Sequence, residues 1–154
     1  MIIYTDGSAH PNPGPGGYGV AIVNSSEQLV YARSKQTNQE TTNNREEIKA
    51  ILWAMINYGG AGDIPAPVVY SDSAYAVNTL TQWMFGWAKR GWVKSDKKTP
   101  ENLDLIQAYY DLYQKGFRID LRKVAGHAGI KWNELADQLA TGKITEEEAL
   151  KIYG

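Results

Sequence analysis

Two similar stretches decide the fold: Tyr4-Thr5-Asp6-Gly7-Ser8 near the start of the chain and Tyr70-Ser71-Asp72-Ser73 near its middle. Each belongs to a short apolar run that is typical of a β-strand with an aspartate as its last residue. Side chains alternate along a strand, so each aspartate shares a face with the tyrosine two residues before it. If the strands are parallel neighbours about 4.8 Å apart, both carboxylates meet at the C-terminal edge of the sheet, where α/β proteins bind ligands.

The rest of the chain alternates between strand and helix patterns. Three strands precede a helix, and a strand–helix–strand path of this kind gives a right-handed parallel crossover. The sequence therefore predicts an α/β protein with a five-stranded mixed sheet flanked by helices. We expect residues 1–142 to form one domain, and residues 143–154 to form a helical tail of the same domain in which Leu150 and Ile152 pack onto the body. The predicted strands cover 2–6, 18–24, 29–35, 68–72 and 117–124, and the predicted helices cover 43–58, 73–89, 101–115 and 132–140.

Composition excludes several classes of protein. The 154 residues include no cysteine, which excludes a disulfide scaffold, cysteine-ligated zinc and a thiol nucleophile. No apolar run approaches the roughly 20 residues of a membrane span, and the first residues lack the basic segment of a signal peptide, so we expect a cytoplasmic protein with no membrane partner. The net charge of −1 argues weakly against nucleic-acid binding, but a local run of cations between 89 and 98 argues for it.

The two strand-end aspartates, Asp6 and Asp72, indicate a metal site. Carboxylates held this close repel each other unless a proton or a cation lies between them. With no cysteine and two histidines in the chain, oxygen ligands indicate a hard cation such as Mg²⁺ or Mn²⁺. Either aspartate taken alone is more often a cap for a turn or a helix, but the matched pair favours the metal.

Helix geometry chooses between two adjacent acids in the helix over 43–58. At about 100° per residue, Glu47 borders the apolar face and can reach a metal at the sheet edge. Glu46 points away, and we expect it in solvent, where the helix dipole favours an acid in the first turn. By spacing alone, Asp137 is an ordinary surface acid and His127 is a loop histidine with a structural role.

A series of short motifs runs through the chain. It comprises Thr5-Asp6-Gly7-Ser8, Asn12-Pro13-Gly14, Gly16-Gly17-Tyr18-Gly19, Thr42-Asn43-Asn44-Arg45 with its glutamate, Asp72-Ser73, Trp83 and Trp87, Lys89-Arg90-Gly91-Trp92, Gly126-His127-Ala128-Gly129, and Asn133-Glu134 before Asp137. This series closely resembles the type 1 ribonucleases H. The match extends from about Ile2 to Ala140, and several motifs in register are more specific than any one of them.

The resemblance implies a ribonuclease H-like fold and an endonuclease that hydrolyses the RNA strand of an RNA·DNA hybrid, leaving 5′-phosphate and 3′-hydroxyl ends. It implies that Asp6, Glu47, Asp72 and Asp137 bind two Mg²⁺ ions, with Mn²⁺ as a substitute, which gives Asp137 a role that spacing denies it. His127 matches a loop histidine associated with proton handling or product release. Two metals on either side of an in-line displacement suit phosphodiester cleavage. We expect the enzyme to be a monomer.

The resemblance also implies substrate contacts around the helix start. Asn12 and its loop are expected to approach the minor groove of the RNA strand, where 2′-hydroxyls distinguish RNA. Thr42 and Arg45 would hold a DNA phosphate, and Asn43 and Asn44 would reach bases or sugar edges. Helix capping is the simpler role for these polar residues and is compatible with the first.

A basic protrusion that contacts the DNA strand, called the handle below, is implied for residues 83–98. Trp83 and Trp87 share a helix face; they form either a buried core pair or, beside the lysines, a stacking surface for DNA. Trp92 is expected to pack at the base of the handle. Ala74 stands where family members often carry a glutamine that contacts the hybrid, so one polar contact is missing. The expected phosphate contacts are Lys89, Arg90, Lys94, Lys97 and Lys98.

Three other functions fit parts of the pattern. An integrase or transposase core shares the fold and the acidic metal chemistry, but it acts on DNA and would lack the handle and the asparagine-rich helix start. A non-enzymatic hybrid-binding module would not need all four acids. The ribonuclease domain of a reverse transcriptase is the third, and the start at Met1 with single-domain length argues for a free-standing protein instead.

Overall fold

The structure, a computed structural model, describes residues 1–60, 65–126 and 130–154. Its strands are β1 (Ile2–Ala9), β2 (Gly14–Val23), β3 (Leu29–Thr41), β4 (Val68–Ser71) and β5 (Asp120–Lys123). Its helices are α1 (Asn43–Tyr58), α2 (Ala74–Asn78), α3 (Met84–Lys89), α4 (Leu103–Gln114), α5 (Lys131–Thr141) and α6 (Glu146–Tyr153), and a π-helical turn (Thr79–Trp83) joins α2 to α3.

The five strands form one mixed sheet in the order β3-β2-β1-β4-β5. β1 pairs antiparallel with β2 and parallel with β4, and β4 pairs parallel with β5. Tyr4 lies opposite Tyr70, and their rings stack with centroids 5.3 Å apart. The predicted mixed sheet and the parallel pairing of the two strands are therefore confirmed. β1 continues along β2 to Ala9 after its pairing with β4 stops, so Asp6 lies where the two parallel strands separate.

Helices cover both faces of the sheet. α1 packs against β1 and β2, with Ile3 and Ala54 in the core between them. α5 packs on the opposite face, where Ala21 and Leu135 lie in a second core cluster. Because side chains alternate along β1, Asp6 projects toward the α5 side. None of the helices in the described ranges is long and apolar enough to cross a membrane.

The predicted helix over 73–89 is interrupted by the π-helical turn. The N–H of Met84 donates to the carbonyl oxygen of Thr79, five residues earlier, which widens the turn. The Thr81 hydroxyl donates to the carbonyl oxygen of Val77 at 2.6 Å and competes with the regular helical ladder. Hydrophobic spacing does not distinguish such a turn from an α-helix, so the sequence predicted one continuous helix.

The C-terminal helix α6 packs against β3. Ala149 is fully buried, and the Tyr153 ring meets the Trp132 ring at 5.7 Å between centroids. The prediction that Leu150 and Ile152 pack onto the body is wrong, because both side chains are exposed. Ala149 and Tyr153 lie four residues apart on the buried face, and the small alanine lets the helix approach β3, which turns the two aliphatic side chains outward.

Candidate active site

Three carboxylates converge where β1 and β4 separate. Asp6 on β1, Asp72 just after β4 and Glu47 on α1 each place one carboxylate oxygen within 4.8 Å of the others. Asp6 and Glu47 are buried, and Asp72 is half-buried. The two aspartates thus meet as strand alternation predicts, and Glu47 joins them as helix geometry predicts.

Both oxygens of Glu47 are held by the strands that it approaches. Oε1 accepts the backbone N–H of Gly7 at 2.9 Å, and Oε2 accepts the Ser71 hydroxyl at 3.2 Å. α1 lies this close to β1 because Gly7 has no side chain: a Cβ there would be 2.3 Å from the carbonyl carbon of Glu46 and from the nitrogen of Glu47. β1 and β4 together therefore fix the Glu47 carboxylate beside the two aspartates.

The prediction that Glu46 points into solvent is wrong. Its side chain is 1% exposed, its Oε2 accepts the Thr41 hydroxyl at 2.7 Å, and the Lys49 ammonium lies 2.8 Å from the same oxygen. Helix geometry locates only the apolar face, whereas here the end of β3 covers the first turn of α1 from another side. Glu46 ties β3 to α1 and stands outside the carboxylate cluster.

Burial and mutual repulsion raise the pKa of both buried carboxyls in the cluster. For Asp6, loss of hydration raises the pKa most, followed by its hydrogen bond with Glu47 and the negative charges of Glu47 and Asp72. For Glu47, burial raises the pKa, and the hydrogen bonds from Asp6, Gly7 and Ser71 oppose that rise. A divalent cation fits this set of donors, because carboxylate oxygens are its preferred ligands and its charge replaces that of the retained protons.

Asp137 joins the cluster from the α5 side. It is half-buried, it helps to raise the pKa of Asp6, and it lines a cavity of about 320 Å³ together with Asp6, Glu47 and Asp72. The α5 backbone approaches β2 closely at Gly19, where a Cβ would be 2.4 Å from the carbonyl oxygen of Ala136. Spacing alone describes Asp137 as a surface acid, and the structure instead brings it to the other three acids.

The start of α1 forms one rim of this cavity. Thr42 caps the helix by accepting the backbone N–H three residues later at 3.1 Å, and Asn43 and Asn44 line the cavity. The backbone N–H of Asn43 donates to the side-chain oxygen of Asn12 at 3.1 Å. Asn12 is therefore held at the rim by α1. Its contact with RNA stays a prediction.

Arg45 already has a protein partner. Its two terminal nitrogens donate to the two carboxylate oxygens of Asp104 on α4 at 2.9 and 2.6 Å. This hydrogen-bonded pair lowers the pKa of Asp104 and raises that of Arg45. A phosphate contact by Arg45 must share the guanidinium with Asp104, and it also stays a prediction.

The cations of the handle are accessible. Four of the five are exposed and one is half-buried, and the ion pairs in the described part of the chain involve none of them. Trp92 packs edge-on against Tyr110 with centroids 5.1 Å apart, as predicted for the base of the handle. The five cations are Lys89, Arg90, Lys94, Lys97 and Lys98.

The two tryptophans of the handle differ. Trp83 is 45% exposed and stays available for stacking, whereas Trp87 is 9% exposed and belongs to the core cluster with Met84 and Ile106. The packing of Trp87 therefore favours the alternative of a core residue, and its contact with substrate stays a prediction. Their rings are 6.3 Å apart and tilted, so the core boundary passes between two residues on one helix face.

His127 lies outside the described residues, although the backbone of Gly126 just before it lies against the Asp72 carboxylate. Sequence reasoning missed Ser71 as a contact of the cluster. Strand alternation contains the signal, because Ser71 shares a face with the buried Val69 and so points toward α1.

Comparison with known proteins gives one consistent family. The sequence model of the RNase H family matches residues 1–145. A ribonuclease H from Syntrophomonas wolfei subsp. wolfei is 40% identical over 146 residues, covering 94% of this chain and 95% of that protein. One from Aliivibrio salmonicida is 42% identical over 138 residues, covering 90% and 83%.

Two solved structures extend this similarity to the fold. LC9-RNase H1, a type 1 RNase H with the type 2 active-site motif, is 30% identical with a TM-score of 0.71, over 96% of this chain and 74% of that one. LC11-RNase H1 in complex with an RNA/DNA hybrid is 25% identical with a TM-score of 0.65, over 92% and 96%. Because the family match spans nearly the whole chain and persists in both sequence and fold, this chain belongs to the type 1 ribonuclease H family.

Proposed function

We propose that this protein is an endonuclease that hydrolyses the RNA strand of RNA·DNA hybrids and leaves 5′-phosphate and 3′-hydroxyl ends. The observation that carries the proposal is the cavity of about 320 Å³ lined by Asp6, Glu47, Asp72 and Asp137 in a chain of the ribonuclease H family. The relative LC11-RNase H1 was solved with an RNA/DNA hybrid, which supports the hybrid as the substrate class.

The same four carboxylates are proposed to hold two Mg²⁺ ions, with Mn²⁺ as a substitute. Four acids offset the charge of two divalent cations, and the raised pKa values of Asp6 and Glu47 support a cluster that is relieved by cation binding. When bound, the two ions supply the charge that activates water and stabilises the leaving oxygen in phosphodiester hydrolysis.

The protein's own part is to hold the acids in place and to receive the two strands. Hydrogen bonds from Gly7 and Ser71 immobilise Glu47 before substrate arrives, so the cluster needs little reorganisation. Asn43 and Asn44 stand at the rim, where their amide groups can meet bases or sugar edges of the hybrid. The exposed handle cations and Trp83 supply charge and a stacking surface for the DNA strand.

His127 is proposed to assist proton transfer or product release, because imidazole exchanges protons near neutral pH. The protein is proposed to act as a monomer in the cytoplasm. All four acids come from one chain, and the absence of cysteine suits a reducing compartment. Residues 143–154 are proposed to belong to the same domain as residues 1–142, which the packing of α6 on β3 supports.

The test uses RNA·DNA, RNA·RNA and DNA·DNA duplexes of one sequence, each incubated with Mg²⁺ or with excess chelator. Only the RNA of the hybrid should be cut, chelator should stop the reaction, and the products should carry 5′-phosphate. Asp72→Asn, purified in parallel, is the control for contaminating nucleases. Equal cutting of the DNA duplex would indicate an integrase-like enzyme, and hybrid binding without cutting would indicate a non-enzymatic module.

A further inference from the structure

We propose that Ser71 is a positioning residue whose hydroxyl fixes the Glu47 carboxylate for metal binding and couples it to the turn that carries Asp72. This inference rests on the proposed function, because it concerns the same carboxylate site. It adds a residue that contributes no metal ligand of its own but determines how two of the ligands are held.

The position of Ser71 at the end of β4 directs its side chain toward α1. Ser71 is the last residue of β4 and is 0% exposed. It shares the face of Val69, which packs in the core cluster under α1. A hydroxyl buried on an otherwise apolar face is unfavourable unless it is hydrogen-bonded, and this one donates to Glu47 Oε2 at 3.2 Å.

A second hydrogen bond ties the same hydroxyl to the turn after β4. The backbone N–H of Ser73 donates to Ser71 Oγ at 3.2 Å, and Ser73 itself caps α2 by accepting the N–H of Ala76 at 3.0 Å. Asp72 lies between the two serines in the chain. The Ser71 oxygen accepts the N–H of Ser73, and its single hydrogen is donated to Glu47. A shift of either Glu47 or Asp72 therefore disturbs the position of the other.

Ser71 is also the contact of Glu47 that can be removed by substitution without removing an acid of the cluster. The other oxygen of Glu47 is held by a backbone N–H, that of Gly7, which no side-chain change deletes. Without the Ser71 hydroxyl, Oε2 loses its donor from β4, and the carboxylate keeps only the Gly7 N–H and its contact with Asp6. Partners that orient metal ligands typically contribute a factor of about 10–100 in metal affinity.

The experiment measures Mg²⁺ binding by calorimetry on the full chain without nucleic acid. Ser71→Ala should weaken Mg²⁺ binding by about 10-fold or more, whereas Ser71→Thr keeps the hydroxyl and should bind nearly as the wild type does. Thr79→Val is the matched control, because Thr79 is fully buried and its hydroxyl has no hydrogen-bond partner within the described residues; its Mg²⁺ affinity should be unchanged.

A background variant separates positioning from a general effect on the fold. In Glu47→Gln, adding Ser71→Ala should cause a smaller further loss of Mg²⁺ affinity than in the wild-type background, since the hydroxyl then acts only through the turn that carries Asp72. A further loss as large as in the wild-type background overturns the proposal, as does wild-type affinity in Ser71→Ala alone. If Ser71→Ala fails to fold, Ser71→Cys replaces it with the same expected loss, because a thiol is a weak donor.

Cleavage of the hybrid is scored separately, so the two proposals fail in different ways. Wild-type cleavage with Mg²⁺ binding that is independent of Ser71 overturns the role of Ser71 alone. Mg²⁺ binding that depends on Ser71 in a wild-type protein that cuts no hybrid overturns the proposed function and leaves the positioning role standing.

Discussion

The carboxylate cluster and the handle differ both in the sign of their charge and in its exposure: the acids are largely buried, and the cations are largely exposed. The acids come from separate elements. Asp6 and Glu47 are buried, their carboxylate oxygens lie within 4.8 Å of each other, and the pKa of both groups is raised. The handle cations lie on one segment, largely exposed and outside the ion pairs of the described residues. Buried charge is unfavourable until a counter-ion arrives, whereas exposed charge is hydrated and screened by salt. Changes in the cluster should therefore affect turnover, metal binding and stability, and changes in the handle should affect substrate affinity and its salt dependence.

The largest expected effect is that of Asp72→Asn. Turnover on the hybrid should fall by about 10⁴-fold or more, the scale on which one member of a catalytic unit acts. The variant should fold, and in chelator its free energy of unfolding should exceed that of the wild type, because one negative charge beside Asp6 and Glu47 is gone. Single-turnover cleavage and urea unfolding in chelator measure both effects. Near-wild-type turnover would rule out a direct role for Asp72.

The two tryptophans provide a test of where the core ends and the handle begins. Trp87→Ala should lower the free energy of unfolding by about 3–5 kcal/mol, the usual cost of emptying a buried tryptophan site. Trp83→Ala should leave stability nearly unchanged and weaken binding of an uncleavable hybrid by about 1–3 kcal/mol through loss of stacking. Urea unfolding and a binding titration on both variants check this. A binding defect in a stable Trp87→Ala variant would reverse the assignment.

Glu46→Gln and Glu47→Gln compare neighbours in one helix turn. Glu46→Gln should retain turnover but lower the free energy of unfolding by about 1–3 kcal/mol, because it weakens a buried charged hydrogen bond to Thr41. Glu47→Gln should stop turnover. Parallel cleavage and unfolding measurements decide, and loss of turnover in the Glu46 variant with an intact fold would place Glu46 in the site after all.

The sequence predicts those parts of the site whose side-chain directions follow from the period of a single strand or helix. Strand alternation was enough to bring Asp6 to Asp72, and helix periodicity selected Glu47, because the backbone itself sets both periods. Glu46 was misplaced because its burial comes from the end of β3, a tertiary contact that no helical period encodes. Asp137 could be assigned only by resemblance, because its approach depends on how closely α5 packs against β2.

The metal-free protein should lose stability as the pH rises. Asp6 and Glu47 have raised pKa values in the fold, to about 7 for Glu47, so the folded state keeps protons that the unfolded chain releases above about pH 4. Between about pH 4 and 7 the free energy of unfolding should fall by up to about 1.4 kcal/mol per pH unit for each retained proton. Saturating Mg²⁺ should oppose this trend, since it binds the deprotonated acids.

Urea unfolding at several pH values, with chelator or with Mg²⁺, measures the two slopes. Asp6→Asn should flatten the slope in chelator, because it removes the carboxyl whose pKa burial raises. Identical slopes with and without Mg²⁺ would contradict metal binding at the cluster.

The smallest expected effect at physiological salt belongs to the lysines of the handle. In Lys89→Ala/Lys94→Ala/Lys97→Ala, each lost phosphate contact should reduce the slope of log affinity against log salt by about 0.9. KM should rise with kcat little changed, provided that KM follows hybrid dissociation. Binding of an uncleavable hybrid across a salt series is the measurement. An unchanged slope would show that these lysines lie in solvent and make no phosphate contact.

The contact between β1 and α1 at Gly7 limits which sequences can carry this site. A Cβ at position 7 would be 2.3 Å from backbone atoms of both Glu46 and Glu47, so even alanine forces the helix away from the strand and takes Glu47 with it. In a library of all substitutions at this position selected for nuclease activity, glycine alone should survive. The exposed position 74, two residues after Asp72, should accept many residues in the same selection. Gly7 is therefore a position at which related sequences that keep this site should not vary.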